Sequence, residues 1–558
     1  MITSSISRPL LGLATVAMLV PSAVVAQTPP AMMRPDVMGR TAAVTSDHAL
    51  ASAAGMDVLR RGGNAVDAAI TMAAVLAVAR PHMNGIGGDA FLLIREARTG
   101  RVYALNGSGR SGSRATPAFF AERNLKEVPS TGILSVSVPG AVRAWADALE
   151  RFGTITLAQA LAPAIEYAER GLPVSTRLSL DIAGELRKVA ADTALARVFL
   201  VNGKAPAPGT LLVQRDLAAS LKAIAQNGPD ELYRGQLARR IAAFMEREGG
   251  LLTADDLARH TSTWQEPLST TYMGRTILAF PPNTQGATFL QMLNLAEQAD
   301  LTRVQFNSAE YIHLLAEGSK LAYADRDRYI ADPAFSQVPV DRLLSKEYAK
   351  ELAQRIRRDT VIAPDEEVAA RDGNGDTVYL GVIDKDGNAV SMIQSLFASF
   401  GSGRMVPGAG IVLHNRGSLY TLDASHPNVV APGKRPYHTL CPAMALNDDR
   451  SLVAVFGTPG GDGQPQTLVQ ILNNVLRFGL TPQQAVEAPR WRVYNRARLA
   501  VEPGIPADVR QALERLGHRV RVQEPSAEFG GAQMIVRHQS GALMTGADPR
   551  REAYAIVW

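Results

Sequence analysis

The chain has 558 residues, with 58 Lys and Arg against 53 Asp and Glu, a formal net charge of +5 and 46% hydrophobic residues. That length buries a large core and admits two to four domains, and a small charge excess without any run of Lys or Arg gives no footing for nucleic acid. The single cysteine, Cys441, excludes an intramolecular disulfide; before Pro442 in an apolar stretch, it reads as a buried thiol rather than a nucleophile.

Residues 1–26 read as a secretory signal: Arg8 is the only charge, residues 10–20 are apolar, and Val24-Val25-Ala26 offers a small residue for cleavage before Gln27. Pro9 and Pro21 interrupt a run already too short to span a bilayer. The expectation is a soluble protein, periplasmic or secreted. Next, residues 47–60 read as a helix, Gly62-Gly63 as a break, and Asn64 as the cap of a second helix so apolar that neighbours must cover every side. HMNGIGGDAFLLI is a glycine loop feeding a strand at 90–94. Gly85-x-Gly87-x-x-Ala90 imitates a dinucleotide fingerprint, but it follows a helix and precedes a strand, the reverse of what that fingerprint requires.

A strand at 102–105 leads to the loop NGSGRSGSRATP, whose Arg110 and Arg114 are either anion-binding groups or solvated charges. Residues 140–345 are rich in helix signals punctuated by Gly and Pro, with no repeat. The polar stretch 359–375 then delivers the chain to Thr377. Val378 to Ile383 reads as a strand, Asp386-Gly387 as a type I′ hairpin turn and 389–396 as the returning strand.

Thr377 thus opens a strand behind the small, polar loop Asp372-Gly373-Asn374-Gly375-Asp376. A threonine there is commonly no more than a β-branched strand residue. If the chain is cut between Asp376 and Thr377, however, one residue carries both a hydroxyl nucleophile and an α-amine base. An α-amine pKa of about 7.7–8.0 leaves a neutral fraction near neutral pH to accept the hydroxyl proton, and the glycines give the loop the freedom that self-cleavage needs. The same loop imitates the start of an EF-hand, but Thr377 and Ile383 stand where Gly and Glu belong, so calcium is rejected.

Further on, a strand at 452–456 is followed by TPGGDGQPQ and a helix at about 466–478. The N–H groups of Gly460 and Gly461, just ahead of a helix N-terminus, suit an oxyanion or a carboxylate. No P-loop, HExxH or GxSxG occurs and the nine histidines show no zinc spacing, so no metal and no cofactor is expected.

With these residues in view, the chain resembles the γ-glutamyltranspeptidase family of N-terminal-nucleophile hydrolases. GGNAVDAA, NGIGGDAFLL, VPGAVRAW, TVYLGVIDKDGNAVSM, FGSG, KRP, PGGDG and GADPR carry the resemblance, in order, over nearly all of the chain beyond the signal. It implies an α+β fold, a four-layer αββα sandwich, and a precursor that cuts itself between Asp376 and Thr377 into parts 27–376 and 377–558 that stay associated. It also implies Thr377 as nucleophile, Ser395 as a second hydroxyl that supports it, Gly460 and Gly461 as the oxyanion pair, and Asp462 as a substrate contact.

The pocket departs from the pattern. The family's carboxylate-binding arginine falls on Ser108, so Arg110 or Arg114 could replace it only through a loop shift; an asparagine becomes Phe397, and a serine pair becomes His438-Thr439. A glutamine and an aspartate that contact the substrate become Arg416 and Leu419. Leu419 and Phe397 remove partners for an α-ammonium, whose unpaired burial costs several kcal/mol. Arg416 adds a cation, either in the pocket or on its rim.

The expected function is a self-processed γ-glutamyltransferase-like enzyme acting on glutathione and related amides through a threonine acyl-enzyme. A second is an amidohydrolase of the same family for small acidic, oxamate-like amides; a third, of another class, is an uncleaved, non-catalytic periplasmic binding protein. The expected partners are a small amide and the chain's own two parts, with neither nucleic acid nor membrane after signal removal.

Overall fold

The computed structural model describes residues 32–362, 375–494 and 498–558. The signal stretch at 1–26 and residues 372–374 of the loop before Asp376 lie outside them. Among the described residues, no helix is long and apolar enough to cross a membrane.

Two antiparallel seven-stranded sheets form the centre. One runs, edge to edge, through Tyr554–Val557, Ala43–Ser46, Asp376–Ile383, Ala389–Phe397, Asp89–Arg95, Val102–Gly107 and Thr263–Gln265. The other runs through Val37–Gly39, Leu543–Ala547, Gln533–Arg537, Leu452–Gly457, Ala443–Leu446, Arg275–Ala279 and Leu268–Tyr272. Strand alternation sorts the side chains into layers. Tyr379, Ile383 and Ile393 face the second sheet and pack with Met444, Val455 and Ile535. Val378, Leu380, Val382 and Met392 face the other way, onto the helices Ala49–Arg60, Ala65–Ala79, Ala141–Phe152 and Leu157–Arg170. The second sheet's outer face packs on Gly286–Gln298, Ala309–Tyr329 and Gln464–Leu476. This is the expected helix–sheet–sheet–helix order.

The helix Ala65–Ala79 is buried along its whole length, as its composition requires. Asn64 caps it in a reciprocal box with Asp67, and Asp384, at the hairpin, accepts a hydrogen bond from its Ala65 N–H at 3.0 Å. The hairpin turn differs from the expected type I′, which needs two left-handed central residues. Only Gly387 is left-handed, at φ +82. Gly387 N–H donates to Asp384 O and Asp384 N–H to Asn388 O, giving a three-residue loop. Asp384 explains the choice: its carboxylate accepts from the N–H groups of Asp386 and Asn388 and so holds the wider turn.

Candidate active site

Thr377 enters the first sheet at an irregularity. Asp376 pairs with Phe397 and Val378 with Gln394, so Ser395 and Leu396 together oppose Thr377. Such a bulge breaks the ladder and re-aims the local side chains. It brings Thr377 Oγ1 to 3.1 Å from Ser395 Oγ. Ser395 Oγ in turn donates to the carbonyl of Asp376 at 2.7 Å and accepts from Phe397 N–H at 2.7 Å. Phe397 is held at φ +77, a conformation that costs a non-glycine residue about 1–3 kcal/mol.

Arg416 begins the 3-10 turn Arg416–Leu419 and is fully buried, not a rim residue. Its guanidinium donates to Ser395 Oγ at 3.2 Å and to Thr439 Oγ1 at 3.0 Å, and it lies over the Phe397 ring at 4.4 Å. Its hydrogen-bond partners among the described residues are these two hydroxyls, with no carboxylate, and its Nε lacks a partner there. Burial lowers its pKa to about 10 against the opposing pull of Asp89. Leu419 is buried in the same apolar cluster as Phe397 and Tyr437.

Gly460 and Gly461 adopt φ +125 and +57, which favour residues without a side chain. Gln285 Nε2 fixes the loop by donating to Gly461 O at 3.0 Å and to Thr439 O at 2.7 Å. Gly375, one residue before Asp376, lies on this loop: a Cβ there would stand 3.0 Å from Gly461 Cα and 3.5 Å from the Phe397 ring. Asp462 Oδ1 accepts from Arg326 at 3.0 Å and Tyr437 at 3.1 Å, while its buried Oδ2 has no partner among the described residues.

Behind Thr439 stands a support that gave no local sequence signal. Asp89 Oδ2 lies 3.1 Å from His438 Nε2 and 3.4 Å from His414 Nδ1, and Gly109 N–H donates to its Oδ1 at 3.0 Å. Burial alone would raise the Asp89 carboxyl, but the two imidazoles beside it bring it down to about 2. Burial and Arg416 push His438 down to about 3, so it is neutral. The His438 ring lies edge-on to Phe91.

Arg110 and Arg114 stand apart from this group. Arg110 donates to Thr261 O and lines a separate pocket of ≈ 250 Å³ with Asp256, Arg259 and His260; Arg114 is exposed. The buried cation beside Ser395 is therefore Arg416, from a different loop. Sequence reading also missed Asp89, Gln285, Arg326 and Tyr437. They sit on separate elements, and only packing brings them to one place.

One group of possible metal ligands occurs among the described residues: His313, Glu317 and His518 offer ligand atoms within 4.8 Å of one another. These atoms already hold protein partners. Lys320 Nζ lies 2.5 Å from Glu317 Oε1, His313 Nδ1 lies 2.8 Å from His518 Nε2, and His313 Nε2 bonds to Arg357 O. The cluster ties the helix Ala309–Tyr329 to residues 357–362 and to His518.

The family model for gamma-glutamyltranspeptidase matches residues 51–558. The glutathione hydrolase-like YwrD proenzyme of Bacillus subtilis is 41% identical over 532 residues, covering 94% of this chain and 100% of its own. The oxamate amidohydrolase proenzyme of Klebsiella pneumoniae is 38% identical over 521 residues, 91% of this chain and 97% of its own. Among solved structures, cephalosporin acylase from Bacillus halodurans superposes with a TM-score of 0.89 at 37% identity, covering 97% and 99% of the two chains.

Proposed function

From a chain that belongs to the γ-glutamyltranspeptidase family of hydrolases and acylases, we propose an exported, self-processing amidohydrolase whose nucleophile is the hydroxyl of Thr377. The observation that carries this reading is the bulge that sets Thr377 Oγ1 3.1 Å from Ser395 Oγ, beside the carbonyl it would attack. Cleavage between Asp376 and Thr377 gives parts 27–376 and 377–558 and frees the Thr377 amine. Withdrawal of Gly375 then uncovers the Gly460–Gly461 loop.

In the mature enzyme the Thr377 amine takes the hydroxyl proton as Oγ1 attacks the substrate carbonyl. The Gly460 and Gly461 amides hold the oxyanion, the amine leaves protonated, and water releases the acid from the acyl-enzyme. Arg416 sets the substrate class. A buried guanidinium with a free Nε matches a carboxylate near the scissile amide. Leu419, apolar and buried, offers an α-ammonium no partner. This favours small acidic amides without an amino group, the substrate class named for the Klebsiella relative. A second reading, γ-glutamyl amides such as glutathione, draws on the unpartnered Oδ2 of Asp462, which suits an ammonium.

Denaturing electrophoresis with N-terminal sequencing tests the first part: a small band beginning at Thr377 is expected, and one uncut band overturns it. Turnover of a dicarboxylic monoamide, glutathione and a γ-glutamyl anilide separates the substrate readings. Export rests on residues 1–26 alone, and cell fractionation tests it.

A further inference from the structure

The oxygen of Ser395 has four polar neighbours: Asp376 O and Phe397 N at 2.7 Å, Thr377 Oγ1 at 3.1 Å and Arg416 Nη2 at 3.2 Å. A hydroxyl has one proton and two lone pairs. Phe397 N–H and the guanidinium can only donate, and the Thr377 hydroxyl donates as well, so all three converge on the lone-pair side of the Ser395 oxygen. The carbonyl of Asp376 can only accept, so the Ser395 proton is committed to it. Ser395 is 1% exposed and Arg416 0%, so no bulk water competes for these bonds.

That carbonyl belongs to the bond cut in self-processing, and it is not the group that rests on the glycine loop; Gly375 lies there instead. We infer that Ser395, polarised by the guanidinium of Arg416, is the oxyanion donor of the self-cleavage step, a device separate from the Gly460–Gly461 amides that serve the substrate. The inference rests on the self-processing reading and gives Arg416 two successive tasks. In the precursor it fixes and polarises Ser395; once Asp376 has left, it is free to meet the substrate's carboxylate.

The step balances without a further reagent. Thr377 Oγ1 bonds to the Asp376 carbonyl carbon, the carbonyl π pair moves onto its oxygen, and the Ser395 O–H stabilises that charge. The carbonyl re-forms as the carbon–nitrogen bond breaks, and the proton lost by Oγ1 ends on the departing nitrogen. An ester and a free α-amine result. Water then hydrolyses the ester to the Asp376 carboxylic acid and the Thr377 hydroxyl. Ser395 touches the reacting oxygen and is catalytic here; Arg416 acts through it and is a positioning residue.

The test follows the full chain made by cell-free translation and times the appearance of the small band. Ser395→Ala should slow cleavage by about 10²–10³-fold, the loss typical of one oxyanion donor, while Ser395→Thr keeps it. Arg416→Ala should slow it at least about tenfold, and free guanidinium at non-denaturing concentration should restore part of the rate, which a merely structural role would not allow. Should Arg416→Ala fail to fold, as judged by its melting midpoint, Arg416→Gln retains a neutral donor and should cleave at an intermediate rate. A wild-type rate in a folded Arg416 variant, or a loss that guanidinium does not relieve, overturns the inference. A wild-type chain that never cleaves defeats the self-processing reading as well, so the two failures are told apart.

Discussion

Two buried arginines flank the Asp376–Thr377 bond, and their surroundings differ. The Arg551 side chain is 1% exposed and meets the Asp376 carboxylate at 3.1 Å. Burial alone would lower its pKa, but Asp376, Asp47 and Asp181 raise it above the ordinary value. Arg416 is as deeply buried, has two hydroxyls and an aromatic face but no carboxylate partner among the described residues, and burial takes it down to about 10. A desolvated cation costs several kcal/mol unless a partner compensates. Arg551 is compensated by Asp376, the residue on the N-terminal side of the proposed cut. Arg416 has no such compensation among the described residues. On the proposed self-cleavage, the same side-chain type on two sides of one bond would do two jobs, anchoring the segment to be cut and recognising what replaces it.

Removing the proposed nucleophile sharpens this contrast most. Thr377→Ala should leave one uncut chain without turnover, with Arg551 permanently paired; any processed band or residual turnover in that variant would show that another residue performs the attack. Next in size is the pocket itself. Arg416→Gln combined with Leu419→Asp should cut kcat/KM for a dicarboxylic monoamide by about 10–100-fold, the worth of a charge-assisted hydrogen bond of about 1.5–3 kcal/mol, and shift preference toward γ-glutamyl compounds. If the wild type already prefers glutathione and the double variant handles it no better, the comparison fails on the Arg416 side.

A smaller effect is expected at Arg551. In the uncut Thr377→Ala background, adding Asp376→Asn leaves a buried cation short of its carboxylate and should destabilise the chain by about 1–3 kcal/mol, read as a lower melting midpoint. An unchanged midpoint would mean that Asp47 and Asp181 suffice.

Acid distinguishes the two sides by pH window. His438, beside Arg416, is held at about 3 against an ordinary 6.5, so the unfolded chain takes up that proton first. Its share of stability is complete above pH 6.5 and falls as pH drops toward 3, about 2 kcal/mol being lost by pH 5. The Asp376 carboxyl is itself depressed: burial opposes the charge, but Arg551 outweighs it. Its share is therefore present above about pH 3.9 and lost only as pH falls below that. The melting midpoint should fall between pH 7 and 5, and less steeply in His438→Gln. A midpoint flat over that range, or an identical slope in the variant, would remove His438 from the account.

The sequence by itself determined the elements whose signals are local. The all-apolar helix behind Asn64, the hairpin carrying Thr377 and Ser395 and the glycine loop before Gln464–Leu476 each show their periodicity, caps and turn residues within a short window. The two-sheet sandwich was legible through the family resemblance rather than from strand patterns alone. The hairpin turn type was misread because Asp-Gly is compatible with more than one loop, and the Asp384 carboxylate chooses between them. Whether Arg416 lay on a rim or in a pocket, and which loop supplied the cation beside Ser395, only the tertiary structure decided. Arg416, Thr439, Gln285, Asp89 and Asp462 come from five different stretches of chain, and no stretch alone records the others' positions. Local structure is dictated by neighbours in sequence, whereas desolvation and charge pairing are set by neighbours in space, and those exist only once both sheets have packed.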